Sequence, residues 1–405
     1  MGFGAPDTWL IGLWAMWVGQ ALWSWFNAWK FSRRIDRQKQ RYAARKRIFE
    51  PPSVVIVPVK GRDDRLDEHI HGLLHQDYPQ YRLIFVVESE EDPAYAALHQ
   101  NAAIEASERD VQLLVAGRAE RGGQKVHNLL HAVRHLRAAD EVVAFADADA
   151  VPHDQWLRRL IWPLRFEEAG AVTGYRWLVP ADDHLASQIA SVINSSVATL
   201  MGPPRRNHVW GGSTALRRAT LEAAKLTELW DGALSDDYQL TRAVAKMKLK
   251  VIFAPQCLVA SPVRMTWSRL LEFGRRQYVV TRVYWPSLWM LAIVFLGLYL
   301  AGWVSALTAA ISATSGWAWA LIAMAAVCAA DYARGRTRAK SIRALFDEQT
   351  VQQLGRAMAL DSWATPLWMA VHALCVWASA FGRRIKWAGI TYELRRRQDV
   401  RIVKR

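Results

Sequence analysis

Two carboxylates that end an apolar run are the residues of this chain best suited to chemistry. Residues 142–146 are all apolar, as in a buried strand, and Asp147 and Asp149 follow with one alanine between them. Carboxylate oxygens bind Mg²⁺ or Mn²⁺, and such a metal neutralises charge on a departing phosphate group. Asp is also a common helix N-cap, and Pro152 suits an early helical position. The pattern alone leaves metal binding and helix capping open.

Two more acidic clusters follow apolar segments of the same region. ESEEDPAYA (88–96) places Glu88 and Asp92 after a predicted strand, and SDDYQLT (235–241) places Asp236 and Asp237 at the predicted start of a helix. A solvated loop and a helix cap would explain each cluster separately. Three such clusters together indicate a site in which a carboxylate near the metal takes a proton from a hydroxyl nucleophile as general base.

Alternating strand and helix patterns must position these side chains. Short β-branched or aromatic runs at 51–60, 81–88, 111–117 and 141–147 are separated by helical patterns such as 125–136. This order predicts an α/β fold with a mostly parallel, doubly wound sheet. Polar residues just beyond the carboxyl ends of such strands line the site, and Glu88, Asp147 and Asp149 occupy that position.

Apolar and basic segments predict an integral membrane protein. The chain has 405 residues, 21 Trp and a formal net charge of +15, and its basic blocks at 30–47 and 383–405 stand beside apolar stretches. Trp favours membrane–water interfaces, and basic blocks beside apolar segments mark the cytoplasmic face, so we expect a bilayer partner and no nucleic acid. The three cysteines lack a CxxC spacing, so neither a disulfide framework nor a zinc site is indicated.

The composition divides the chain into predicted segments along its length. They are an N-terminal transmembrane anchor at 1–30, a basic juxtamembrane linker at 31–50, a cytosolic α/β domain at 51–265, an interfacial amphipathic segment at 266–284, a transmembrane hairpin at 285–333, and a cytosolic helix, short apolar membrane segment and basic tail at 334–405. We expect the short apolar segment at 365–382 to lie at the interface, because spanning would place the arginine-rich tail outside. The stretch 184–204 fits either a buried helix or one that dips into the membrane surface.

Several motifs resemble the membrane-bound inverting GT-A glycosyltransferases of the type-2 superfamily, with ceramide glucosyltransferase and its bacterial relatives as the closest likeness. They are VPVKG (57–61), LLHQDYPQYRLIFVVESEEDPA (73–94), GGQKVHNLL (122–130), FADADAVP (145–152), VWGGSTALRR (209–218), SDDYQLT (235–241) and, more weakly, RRIKWAGITYEL (383–394). The likeness covers roughly residues 51–285. It implies an integral protein of a bacterial inner membrane whose GT-A domain lies in the cytosol.

The resemblance also implies roles for individual residues. Asp149, aided by Asp147, would hold Mg²⁺ or Mn²⁺ against the diphosphate of a UDP-sugar, and Asp237, with Asp236 beside it, would be the catalytic base. Two further residues, Glu88 and Asp92, would hold the uridine or ribose. Lys125 would pair with donor phosphate or with the acidic loop.

One motif departs from the family pattern. The family often carries a (Gln/Arg)-x-x-Arg-Trp motif after the base, but EFGRRQYVVTRVYWP (272–286) has no Arg-Trp pair at that spacing. We interpret this stretch as a variant in which Arg276 and Gln277 contact donor phosphate or sugar, with contact to lipid headgroups as the alternative. In processive synthases that motif holds the end of the growing polymer, so its absence argues against polysaccharide synthesis.

Taken together, these features predict an inverting transfer of a hexose from a UDP-sugar to the hydroxyl of a membrane lipid, ceramide-like first and then diacylglycerol or another lipid. The product would be a β-glycolipid. The alternatives are a processive polysaccharide synthase and a catalytically silent membrane adaptor with the same fold. An adaptor should have lost at least one acidic cluster, whereas all three are present.

Overall fold

The computed structural model describes residues 8–44, 48–62, 65–105, 110–149, 151–204, 207–312 and 316–405. Parts of three predictions, the start of the anchor at 1–7, the end of the first basic block at 45–47 and most of the hairpin turn at 313–315, lie outside the described residues. The chain forms two compact units, each built from separated segments. The first comprises Met1–Asp36, Leu178–Leu200 and Pro262–Gly382, and the second comprises Arg37–Trp177, Met201–Ser261 and Arg383–Arg405.

The strands and helices are numbered in chain order. The strands are β1 (Ser53–Pro58), β2 (Tyr81–Val87), β3 (Val111–Val115), β4 (Val142–Ala146), β5 (Ala169–Pro180), β6 (Ser213–Arg217), β7 (Lys250–Val263), β8 (Arg384–Trp387), β9 (Ile390–Arg396) and β10 (Asp399–Lys404). The helices are α1 (Thr8–Ala43), α2 (Leu66–Leu74), α3 (Pro93–Glu105), α4 (Gln124–Val133), α5 (Trp156–Ile161), α6 (Leu185–Ala198), α7 (Arg218–Ala223), α8 (Leu226–Trp230), α9 (Asp236–Lys246), α10 (Trp267–Tyr284), α11 (Pro286–Ile311), α12 (Trp317–Leu345), α13 (Glu348–Gln353), α14 (Gly355–Trp363) and α15 (Thr365–Ala378).

The second unit is built on a seven-stranded mixed sheet in the order β3-β2-β1-β4-β6-β5-β7. β1 pairs in parallel with β2 and β4, and β2 pairs in parallel with β3. β6 runs antiparallel to both β4 and β5. The mostly parallel α/β sheet predicted from the sequence is therefore confirmed, and the antiparallel β6 is an addition to it.

Apolar side chains cover both faces of the central strands, which explains why these strands are continuous apolar runs rather than alternating ones. Val55 and Phe85 belong to the apolar cluster on one face. Ile56 and Ile84 belong to the cluster on the other. Successive residues of a strand point to opposite faces, so a parallel strand with helices on both sides needs apolar residues throughout. The polar residues that follow β2 and β4 stand out for this reason.

The basic C-terminal segment is folded. Residues 384–404 form the antiparallel sheet β8-β9-β10, which belongs to the second unit. The backbone N–H of Gly122 donates a 2.9 Å hydrogen bond to the carbonyl of Val400, which attaches β10 to the turn before α4. Ile390, Tyr392 and Leu394 are buried at alternate positions of β9. The predicted basic tail is thus part of the structural surroundings of α4.

The first unit is helical and contains its own apolar cluster, to which Trp17, Leu296 and Trp368 belong. Among the described helices, α11 alone is both long and apolar enough to cross a bilayer, and α15 is a shorter apolar helix. The predicted N-terminal anchor and the second arm of the hairpin are helical, in α1 and α12, but that measure does not confirm them as spans. α1 also continues without a break to Ala43, so most of the predicted linker is helix.

Two segments of the first unit contribute to its interior although their sequences are also compatible with an exposed position. α6 lies in the stretch 184–204, and most of its residues are buried, which favours the buried-helix alternative. The polar part of α12 also contributes to the interior. Buried Arg338 pairs with Asp361 of α14 at 3.0 Å, and buried Arg334 pairs with the same carboxylate and with Asp331. These charges are paired, as charges buried inside a protein must be.

Candidate active site

The pairing of β4 with β6 places Asp147 in the candidate site of the second unit. In the antiparallel register of these strands, Ala146 lies opposite Ser213. The next residue, Asp147, donates its backbone N–H to the carbonyl of Gly212 at 3.2 Å. Strand pairing therefore fixes the Asp-x-Asp segment beside the Gly211–Gly212 turn, although the two are far apart in sequence.

Lys125 connects two of the acidic clusters. Its Nζ lies 2.8 Å from Oδ1 of Asp147 and 3.3 Å from Oδ1 of Asp236. Burial opposes the charge on Lys125, but the two carboxylates outweigh it, and the net result is a raised pKa. The lysine is a fixed cation at the centre of the site. Its pairing with Asp147 and Asp236 was not part of the sequence prediction, because nothing in a sequence shows which carboxylates a lysine will reach.

Glycines are required where the backbone approaches these carboxylates. A Cβ on Gly211 would lie closer than 3.0 Å to Oδ2 of Asp236 and to Nζ of Lys125. A Cβ on Gly212 would meet Oδ2 of Asp147 and the ring of Trp210 equally closely. The VWGGS segment thus forms a cradle that only glycine backbone can provide, with the carboxylates of Asp147 and Asp236 against it.

The pair Asp236 and Asp237 begins α9, and the two have different surroundings. Asp236 is buried, and burial raises its pKa to about 6 although Lys125 lowers it. Asp237 is half-buried, and its Oδ1 accepts hydrogen bonds from the hydroxyl of Ser235 and, at 2.7 Å, from the backbone N–H of Tyr238. Burial also raises the pKa of Asp237, against the lowering effect of Ser235 and Lys125. Both predicted carboxylates therefore lie in one cluster with Lys125 and Asp147.

Asp149 has a cationic partner that the sequence reasoning missed. Oδ2 of Asp149 forms an ion pair with the guanidinium of Arg176 on β5. Partial removal of the Asp149 carboxylate from water raises its pKa, but the charge and hydrogen bond of Arg176 outweigh that effect, and the net pKa is lowered. The side chain of Asp149 is 48% exposed, whereas that of Arg176 is 19% exposed. No local pattern in the sequence connects Arg176 with Asp149.

An aromatic group lies beside these charges. The ring of Tyr175 is 6.0 Å from those of His208 and Trp210, and the Arg176 guanidinium lies 5.3 Å from the Trp210 ring centre. Burial lowers the pKa of His208 to about 4, so this ring is neutral at physiological pH. Three aromatic faces next to the carboxylates provide the kind of surface against which a sugar ring packs.

The residues present fit a divalent cation bound together with a phosphate-bearing ligand. Among the described residues, no group of three or more His, Cys, Asp or Glu side chains is placed to hold a metal by itself. Mg²⁺ usually takes one or two protein carboxylates and completes its shell with phosphate oxygens and water. Asp147 and Asp149 supply that number of carboxylates, and Oδ2 of Asp147 lies against the backbone of Gly212. The donor set is suited to Mg²⁺ or Mn²⁺ with a diphosphate.

Glu88 directly follows β2, and Asp92 directly precedes α3. Glu88 is buried and forms ion pairs with Lys60, with Arg118 and, at 2.8 Å, with Arg405 of the C-terminal segment. Asp92 accepts hydrogen bonds of 2.9 Å from the backbone N–H groups of Gly61 and Ala94. Asp92 therefore fixes the turn after β1 to the start of α3. The contact of either carboxylate with uridine or ribose stays a prediction.

Arg276 and Gln277 lie on α10, in the first unit. Their neighbours Arg275 and Arg282 donate to backbone carbonyls that follow α15, including those of Phe381 and Gly382. Cations at a helix C-terminus satisfy carbonyls that have no partner within the helix. The guanidinium of Arg276 lies 5.2 Å from the Phe273 ring, and Gln277 is exposed. The donor contact of Arg276 and Gln277 stays a prediction.

Comparisons with known proteins agree with this architecture. The sequence model of glycosyl transferase family 21 matches residues 12–400. No curated protein matches the chain. Among solved structures, the mannosyltransferase PcManGT from Pyrobaculum calidifontis, in complex with GDP-Man and Mn²⁺, is 18% identical, with a TM-score of 0.50 over 92% of this chain and 96% of that one.

Two other solved structures are more distant. GalNAc-T7 with UDP, GalNAc and Mn²⁺ is 14% identical, with a TM-score of 0.41 over 59% of this chain and 49% of that one. Glucosyl-3-phosphoglycerate synthase from Mycobacterium tuberculosis is 14% identical, with a TM-score of 0.36 over 62% of this chain and 83% of that one. The match over nearly the whole sequence, together with the GT-A fold, confirms the predicted resemblance: the chain belongs to glycosyl transferase family 21 and is a GT-A glycosyltransferase.

Proposed function

We propose that this glycosyltransferase moves a hexose from a UDP-sugar to the hydroxyl of a membrane lipid, ceramide-like as first choice, with inversion to a β-glycoside. The observation that carries the chemistry is the cluster in which Lys125 bridges Asp147 and Asp236 beside Asp237 and the Gly211–Gly212 turn. The family assignment and the apolar helix α11 support a lipid acceptor. The solved relatives carry GDP-mannose or UDP together with Mn²⁺, which supports a nucleotide donor and a metal.

Each group of the site has a defined task in this reaction. Asp149 and Asp147 would hold Mg²⁺ or Mn²⁺, which when bound neutralises charge on the departing diphosphate. Lys125 places a permanent positive charge in the same place and holds Asp147 and Asp236 in position. Because a preorganised charge costs no rearrangement during the reaction, it is effective at stabilising a leaving group.

Asp237 would be the base. Its Oδ1 is held by Ser235 and the Tyr238 N–H, which leaves Oδ2 to accept the proton of the lipid hydroxyl. The hydroxyl oxygen bonds to the anomeric carbon as the bond from that carbon to UDP breaks on the opposite face. One displacement inverts an α-linked donor to a β-glycoside, and no covalent enzyme intermediate forms.

The test is release of UDP by the detergent-purified chain, with a panel of UDP-sugars crossed against ceramide and diacylglycerol. Turnover that needs one lipid, a divalent metal and Asp237 is the expected result. Release of UDP without any lipid requirement would show hydrolysis or another acceptor. Binding of UDP without turnover across the panel would support the adaptor alternative.

A further inference from the structure

A cavity in the first unit lies where two helices change from apolar to basic surface. It has a volume of about 420 Å³ and is lined by Trp29, Ser32, Arg33 and Asp36 of α1 and by Arg336, Thr337 and Lys340 of α12. This volume is within the range of small-molecule sites in proteins, roughly 300–1,000 Å³. All its lining residues belong to the same compact unit.

The charge of this cavity is strongly unbalanced. Arg33, Arg336 and Lys340 contribute three cations against the single carboxylate of Asp36. The three cations are exposed, and none forms an ion pair with any residue that the structure describes. Arg33 lies 5.4 Å from the centre of the Trp29 ring, which directs its guanidinium along the cavity wall. The hydroxyl of Ser32 adds a donor suited to the oxygens of a phosphate ester, whereas the hydroxyl of Thr337 donates to the carbonyl of Ala333 at 2.7 Å.

The surfaces of the two helices indicate which kind of phosphate compound the cavity would bind. Before the cavity, α1 exposes Trp25 and Phe26, and α12 exposes Leu321 and Ile322. After it, both helices are rich in Arg and Lys. Because one cavity joins α1 and α12 at the same point of change, the apolar surfaces of the two helices end at a common level. An apolar surface that ends at a cluster of cations and a Trp ring matches the boundary between acyl chains and lipid headgroups.

We propose that this cavity binds the phosphodiester headgroup of an anionic phospholipid, with its acyl chains along the apolar parts of α1 and α12. The cavity residues belong to the first unit, whereas the carboxylate cluster belongs to the second. The proposal rests on the membrane placement of the first unit and goes beyond the transfer reaction proposed above.

Native mass spectrometry of the full chain in detergent tests the proposal, with phosphatidylglycerol and phosphatidylcholine of identical acyl chains as probes. Because each cation near a lipid surface contributes about 1 kcal/mol, the joint change of Arg33, Arg336 and Lys340 to Gln should lower the preference for phosphatidylglycerol at least about tenfold. A matched control changes Lys30, Arg37 and Arg343 to Gln, which removes the same charge from exposed positions of the same helices outside the cavity. Because the control side chains do not line the cavity and form no short charge-assisted hydrogen bond with a headgroup held in it, the control should keep the preference within about twofold.

Three results would overturn the proposal: no preference of the wild type for phosphatidylglycerol, an equal loss in both triple variants, or full displacement of the lipid by equimolar glycerol phosphate. The last result would assign the cavity to a soluble phosphate ester. If the cavity variant does not fold, the single change Arg336→Gln should still lower the preference about fivefold. Flotation with neutral phosphatidylcholine vesicles measures membrane placement separately, and UDP release measures the reaction, so failure of either proposed function is distinguishable from failure of this site.

Discussion

At the scale of single residues, the chemistry depends on charges that are brought together from distant parts of the chain. Asp147, Asp149, Asp236 and Asp237 were predicted from the sequence, because carboxylates after apolar runs stand out. Their cationic partners Lys125 and Arg176 were not paired with them, since ion pairs between distant segments leave no local pattern. The structure therefore adds the cations that pair with these carboxylates.

The base assignment gives the first prediction. Asp237→Asn should lower kcat by about 10²–10⁴-fold, because the amide cannot accept the acceptor's proton. UDP release with the preferred lipid measures this change, and binding of UDP should be nearly unaffected. Glu222→Gln, at an exposed position of α7, is the control. Retention of wild-type kcat by Asp237→Asn would remove Asp237 from the role of base.

The pH dependence gives a second prediction. Burial raises the pKa of Asp237, and a base acts only when ionised, so kcat/KM should fall as the pH drops through that raised pKa. Lys125 lowers the pKa of both Asp236 and Asp237, so Lys125→Met should move the acidic limb of the profile to higher pH. Profiles of the two proteins at saturating metal provide the measurement. An unmoved or oppositely moved limb would show that Lys125 does not tune the base.

At the scale of elements, periodicity predicted some parts and missed others. β1 to β4 and α4 lie where the apolar runs indicated, because buried parallel strands and an amphipathic helix have strong patterns. The sheet β8-β9-β10 was not predicted. Its arginine-rich sequence was interpreted as a basic tail, although Ile390, Tyr392 and Leu394 alternate as in a strand with one buried face. The antiparallel place of β6 was also missed, because strand order depends on distant contacts.

The turn before β6 gives a prediction at this scale. Gly211→Ala would force a Cβ against the Asp236 carboxylate and Lys125, and a shift of about 1 Å in such groups costs on the order of 10²-fold in rate. Gly355→Ala is the matched control, because a Cβ there meets open space. Steady-state kinetics of both variants checks the expectation. Equal activity of the two variants would contradict the close approach described for Gly211.

The helix α11 gives a paired prediction on stability. A Cβ on Gly302 would lie closer than 3.0 Å to the buried ring of Trp17, whereas a Cβ on Gly297 meets nothing within 4 Å. Gly302→Ala should therefore destabilise the chain by about 1–3 kcal/mol through overpacking. Gly297→Ala should be neutral or slightly stabilising, since Ala favours helix over Gly. Thermal melting in detergent compares the two, and a higher Tm for Gly302→Ala would contradict the packing.

At the scale of the whole molecule, the chain enters each compact unit three times. The prediction from the sequence divided the chain into apolar segments and a soluble domain, each a single continuous stretch. α6 and the C-terminal sheet each belong to a unit other than the one that their position in the sequence suggested. Hydropathy along a chain reports composition locally, and the assignment of a segment to a unit is decided by contacts far away in sequence.

The central claim is transfer of a sugar to a lipid hydroxyl with inversion, and identification of the product tests it most directly. The purified chain, supplied with ¹³C-labelled UDP-glucose, ceramide and Mn²⁺, should transfer the label to the organic phase as a β-linked glucosylceramide, as identified by NMR of the anomeric centre. Label found only as free glucose, as polymer or as an α-linked lipid would contradict the account.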